Sequence, residues 1–93
     1  MRRLLCTTRQ VALDRSDDYL PAWDSVRLAV ERAGGRAWLF RGADHEDRFL
    51  EFIEWDDAQT TPLEDEAVTA AVENLDTFAS PLAAGEWEEA SEA

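Results

Sequence analysis

Residues 36–55, RAWLFRGADHEDRFLEFIEW, hold the pattern that decides the fold. Two short runs, Arg36 to Arg41 and Arg48 to Trp55, are rich in aromatic and branched side chains and flank the polar stretch Gly42 to Asp47. Such a pair reads as a β-hairpin. Setting Arg41 opposite Arg48 brings Leu39 to Leu50 and Ala37 to Phe52 on one side of the sheet. Trp38, Phe40, Phe49, Glu51, Ile53 and Trp55 then share the other side with Arg36. Both faces of the hairpin are apolar, whereas a sheet with one wet face alternates between oily and polar residues. Two helices can cover one face of a small sheet. A second copy of the chain is the economical cover for the other, which predicts a homodimer formed through the sheet face.

Arg3 to Val11 precedes the hairpin as a run of β-tolerant residues without a breaker and reads as the first strand. Asp14-Arg15-Ser16-Asp17-Asp18 offers helix-capping side chains and first-turn acids, and Pro21 fits a helix that places it in the first turn. Tyr19, Ala22, Trp23, Val26, Ala29, Val30 and Ala33 recur at helical spacing, and Gly34-Gly35 supplies the stop. Beyond the hairpin, Thr61 can cap a second helix with Pro62 at its first position and Glu64 completing a capping box. Leu63, Ala67, Val68, Ala71, Val72, Leu75, Phe78 and Ala79 form its apolar stripe, and Ser80-Pro81 ends it. After Gly85, residues Glu86 to Ala90 form a last short strand carrying Trp87, and Ser91-Glu92-Ala93 is expected to fray. The order is β-α-β-β-α-β, a ferredoxin-like α+β fold with an antiparallel sheet, in a single domain spanning 1–93.

The chain carries 21 acids against nine arginines, no lysine, and a net charge of −12. That balance argues against nucleic-acid or anionic-membrane binding, which depends on clustered cations. All nine arginines lie at or before Arg48, leaving the first 48 residues at +1 and the remainder at −13. The second half would repel itself unless those arginines lay alongside it, so the two halves are expected to pack together. If the last strand lies beside the first, Glu86, Glu88 and Glu89 come near Arg2, Arg3 and Arg9. The lone Cys6 excludes an intrachain disulfide framework and is expected to be buried and inert. No apolar stretch approaches the length of a signal peptide or a membrane helix, and a cytoplasmic protein is the expectation.

With this order established, the chain resembles the antibiotic-biosynthesis-monooxygenase-like group of dimeric α+β barrel proteins. The resemblance rests on length, element order, a helix ending in Gly-Gly, and the segment Asp47-Arg48-Phe49-Leu50-Glu51-Phe52-Ile53-Glu54-Trp55-Asp56. That segment is similar to the group's third strand, an Arg-Phe start running to a closing Glu-Trp. The resemblance implies two four-stranded sheets paired into a barrel across a dimer. It further implies a small-molecule site and an oxidation of an aromatic or quinone-type substrate without metal or flavin, so no cofactor is expected. The alternative is a non-catalytic dimeric module that binds a ligand or serves assembly, since one fold hosts many functions. The group's haem-degrading branch fits poorly: Gln59 to Phe78 contains no histidine, and the first strand offers Thr7, Thr8 and Gln10 where that branch has an asparagine.

Glu51 is the candidate catalytic residue. Alternation sets it among Trp38, Phe40, Phe49, Ile53 and Trp55, surroundings that disfavour a carboxylate's charge and suit it to take a phenolic proton as general base. The structural alternative is an ion pair with Arg36 or Arg9, or a place at a wet edge of the dimer contact. Trp23, Trp38, Trp55 and Asn74 are candidate pocket residues, with Tyr19 a further ligand-orienting group, although four tryptophans also serve simply to build a small core. His45 lies among Asp44, Glu46 and Asp47 without a spacing that specifies a metal site, and no metal is expected. RNA-recognition domains share this element order, but Phe49 and Glu51 stand where their third-strand motif has glycines, and the acidity excludes the activity.

Overall fold

The computed structural model describes residues 1–91, and the fraying expected at Glu92 and Ala93 lies outside them. Four strands form one antiparallel sheet: β1 (Arg2–Gln10), β2 (Arg36–Arg41), β3 (Arg48–Asp56) and β4 (Pro81–Glu88), in the spatial order β2-β3-β1-β4. Helices α1 (Ser16–Arg32) and α2 (Glu66–Asp76) lie together on one face. The order is the expected β-α-β-β-α-β, with the last strand beside the first.

Helix α1 owes its stability mainly to its buried stripe, Tyr19, Ala22, Trp23, Val26, Ala29 and Val30, because packing stabilises a helix more than propensity does. Each large side chain so buried contributes on the order of 2 kcal/mol. The helix begins at Ser16, after a 3-10 turn at Leu13–Arg15, so Pro21 falls in its second turn and not its first. The missing N–H frees the Asp17 carbonyl, which lies on an exposed stretch where water can replace it. At the other end, Gly34 at φ +90° takes the left-handed position. Gly34 N donates to Glu31 O and Gly35 N to Val30 O, a double closure of the last turn.

The second helix departs from expectation. Thr61 caps only a short 3-10 turn, Pro62–Glu64, its Oγ1 accepting from Leu63 N. Asp65 then turns extended and caps α2 afresh, Oδ1 accepting from Ala67 N and Val68 N. An aspartate followed by Glu66 in the first turn makes a stronger start, for both acids meet the positive end of the helix. β4 likewise begins at Pro81, five residues before the expected Glu86, because the proline stands at the strand's first position, where no ladder N–H is needed.

The hairpin register differs by one residue from the expected one. Arg41 lies opposite Phe49, Leu39 opposite Glu51 and Ala37 opposite Ile53. Gly42 is the cause: its N–H bonds to the Arg48 carbonyl and takes the rung assigned to Arg41, and a Cβ there would stand 2.7 Å from the His45 carbonyl oxygen. A slip of one residue exchanges faces. Trp38 and Phe40 therefore join Leu50 and Phe52 on the face away from the helices, while Ala37, Leu39, Phe49, Glu51, Ile53 and Trp55 face them. Both faces remain oily, with their members regrouped. On the open face Phe40 and Trp87 keep 55% and 63% of their surface exposed, and Cys6 is only half-buried.

Gly35 packs where β2 leaves the helix. A Cβ there would meet Glu54 O and Pro62 Cγ at 2.8 Å and Val30 Cγ1 at 2.9 Å. Gly35→Ala is expected to cost about 1–3 kcal/mol, read as a lowered midpoint in urea unfolding, and a wild-type midpoint would refute the packing.

Candidate small-molecule site

Because α2 rests chiefly against α1, the sheet beneath it is covered unevenly. A cavity of about 200 Å³ remains between the helices and the β3-β1-β4 side of the sheet. β1 lines it with Leu5, Thr7 and Arg9, β3 with Glu51 and Ile53, and α1 with Trp23. Val72, Leu75 and Asp76 of α2 and Pro81 and Ala84 of β4 complete the wall.

Its polar end is a buried ion pair. Arg9 Nε donates to Glu51 Oε2 at 2.9 Å, and Arg9 Nη2 to Glu51 Oε1 at 3.2 Å. Arg9 Nη1 donates to Asp76 Oδ1 at 2.8 Å and to the Ala79 carbonyl at 2.6 Å. The Tyr19 hydroxyl donates to Glu51 Oε2. Arg9 is 1% exposed and Glu51 5%. Burial opposes the charge of Arg9, but its hydrogen bonds to Glu51 and Asp76 outweigh it and hold the guanidinium above its ordinary range. Burial, and then the Glu51 carboxylate, push the Tyr19 phenol well above its usual 10.0.

Glu51 is therefore not an isolated carboxylate among aromatic rings. Of the two arginines considered as partners, Arg9 is the one that meets it, because both side chains point to the helix side of adjacent strands. Trp23 and Glu51 come together at the cavity. Trp38 does not reach it, having turned to the open face with the register. Trp55 is buried on the helix side but lines a separate cleft with Gly34, Gly35 and Gln59. Asn74 sits on the exposed side of α2, its carbonyl accepting from Thr77 Oγ1. His45 lies in the exposed hairpin loop, and among the described residues no group of three or more His, Cys, Asp or Glu could hold a metal ion.

Asp76 is the neighbour of this pair that pattern reading misses. An acid in the last turn of a helix opposes the helix dipole, so its presence there is a signal that a cation lies close by.

The two halves of the chain meet as their charges suggested. Arg2 pairs with Glu89 at 2.6 Å and Arg3 approaches Glu88 at 3.9 Å, whereas Arg9 turns to Glu51 and Asp76 instead of the β4 glutamates. Arg15 donates to the Thr77 carbonyl and stacks on Phe78.

No protein-family model and no curated protein matches this chain. Solved structures do. SnoaB, a cofactor-independent oxygenase from Streptomyces nogalater, superposes with a TM-score of 0.78 at 14% identity, over 97% of this chain and 94% of its own. The fold is that of the antibiotic-biosynthesis-monooxygenase-like proteins. A conserved protein of unknown function from Bacteroides thetaiotaomicron gives 0.79 at 12% identity, over 95% of this chain and 97% of that one. A Deinococcus radiodurans protein, proposed as an antibiotic biosynthesis monooxygenase, gives 0.75 at 19% identity, over 100% and 95%.

Tyr19 gives the site a pH signature. Its folded phenol keeps its proton where the unfolded chain loses it, so the stabilisation is complete below about pH 10 and declines as pH rises beyond that. Tyr19→Phe should flatten the fall in urea-unfolding stability above pH 10, and a slope identical to that of the parent would exclude a buried, Glu51-bonded phenol.

Proposed function

We propose that this chain is a small-molecule-binding protein of one domain, and that it oxidises a small aromatic or quinone-type substrate without metal or flavin. The observation that carries the reading is the cavity itself, which brings an apolar wall containing Trp23 and a single buried acid–arginine pole to one space. Ligand sites are mostly apolar with a few fixed polar groups, which describes this cavity. In that reading Trp23 offers its face to a planar ring and Glu51 accepts the proton of a phenol or of an activated ring carbon. The resulting anion is electron-rich enough to react with dioxygen. For a ring CH2 becoming a carbonyl, one oxygen atom enters the product and the other leaves as water, so the oxidation balances without a further reductant. The solved oxygenase with the same fold supports this reading by analogy of fold.

The working unit in this reading is a homodimer joined through the open sheet face. Leu4, Trp38, Phe40, Leu50, Phe52 and Trp87 present a contiguous apolar surface of the kind that marks protein contacts. Within the described residues no helix is long and apolar enough to cross a membrane, and the cytoplasm is the proposed compartment.

A second reading rests on the Arg9–Glu51 pair. With hydrogen bonds on both of its oxygens, Glu51 already has the partners of a structural carboxylate, and the chain would then be a non-catalytic dimeric module.

Thermal-shift screening with phenols, quinones and haem tests the pocket: phenols or quinones should raise the melting temperature, and no response from any would remove the ligand site. Once a substrate is found, Glu51→Gln should lower turnover by about 10²-fold or more while leaving assembly intact, and undiminished turnover would favour the second reading. Light scattering during size exclusion should give twice the 10.5 kDa chain mass, falling to one chain for Phe40→Glu. A monomeric parent protein would overturn the pairing.

A further inference from the structure

The hydrogen bonds at the polar end of the cavity leave two positions open. A carboxylate offers about four acceptor sites and a guanidinium five N–H donors. On Glu51, Oε2 receives Arg9 Nε and Tyr19, and Oε1 receives Arg9 Nη2. On Arg9, Nε and one N–H of Nη2 go to Glu51, while the two of Nη1 go to Asp76 and Ala79. One acceptor site on Glu51 Oε1 and one N–H on Arg9 Nη2 are left over, on atoms 3.2 Å apart in two residues that line the cavity. The pole therefore keeps one acceptor and one donor unpaired on neighbouring atoms.

Size and charge narrow the ligand further. An apolar cavity of about 150 Å³ holds a benzene ring. The cavity here, about 200 Å³, has room for one ring with one or two small substituents. Two carboxylates share one guanidinium at the pole, so an anion entering there would meet net negative charge.

We propose, building on the reading of this cavity as a ligand site, that it selects a neutral single-ring molecule carrying a hydrogen-bond donor next to an acceptor. The donor meets Glu51 Oε1 and the acceptor meets Arg9 Nη2, while the ring lies among Trp23, Ile53, Val72 and Leu75. A hydroxyl or ring N–H adjacent to a carbonyl satisfies the pattern.

The test is a calorimetric titration of the full chain with four probes: 2-pyridone, N-methyl-2-pyridone, toluene and benzoate. 2-Pyridone should bind about tenfold more tightly than its N-methyl form, which lacks the donor, with toluene weaker and benzoate weakest. Ala84→Trp, at an exposed position on the cavity wall, should abolish 2-pyridone binding with the melting temperature unchanged. If that variant does not fold, Val72→Phe fills the same space from the helix side and should do the same. Toluene or N-methyl-2-pyridone binding as tightly as 2-pyridone would overturn the paired recognition and leave the cavity reading standing. Binding that survives the filled cavity would move the site elsewhere, and no binding by any probe would overturn both.

Discussion

The guanidinium of Arg9 is the joint on which this small domain turns. It starts on β1, grips Glu51 on β3 through two hydrogen bonds, and reaches Asp76 at the end of α2 and the carbonyl of Ala79 beyond it. Four separate parts of the chain thus share one side chain. A buried arginine is costly to desolvate, and removing one partner of such a pair typically costs 3–5 kcal/mol because the other charge is stranded. Truncating either Arg9 or Glu51 to alanine would therefore disturb more than the cavity, whereas Glu51→Gln keeps an acceptor for Arg9.

The uneven cover of the sheet follows from the helices leaning on each other. α1 packs closely over β2, while α2 rests mainly on α1 and leaves room above β1 and β4. That room is the cavity. On the opposite side of the sheet nothing among the described residues covers the apolar face, and β4 is exposed along nearly its whole length. The cavity and the open apolar face thus have one origin: a sheet with more oily area than two helices can hide.

The sequence made the element order legible because its signals are local and strong: the helical stripe from Tyr19 to Ala33, the Gly34-Gly35 stop, and two aromatic strands around a polar loop. What it concealed was set by single contacts. Gly42 taking a ladder rung shifted the hairpin by one residue, which was enough to move Trp38 out of the company of Glu51. Asp65 outcompeted Thr61 as the cap of α2, a choice between two good capping residues that pattern alone does not resolve. Of the site, Trp23 and Glu51 were recoverable from periodicity, each lying on the buried face of its own element. Asp76 was not, for its role depends on an arginine 67 residues away.

The chemistry of the pole bears on why it exists. Well-packed apolar residues can stabilise a core at least as well as a buried ion pair does. Here the pair lies at the edge of an unfilled space that Trp23 also lines, and its hydrogen-bonding capacity is not exhausted by the protein. A polar group fixed from several sides has little freedom to lose when a ligand arrives, so the ordering cost of binding is met by the fold in advance. Arg9, Tyr19 and Asp76 keep Glu51 in one orientation whether or not anything occupies the cavity. A carboxylate so held suits recognition from the outset. It suits catalysis only if the arriving molecule brings the proton that the protein's own donors have already declined to surrender.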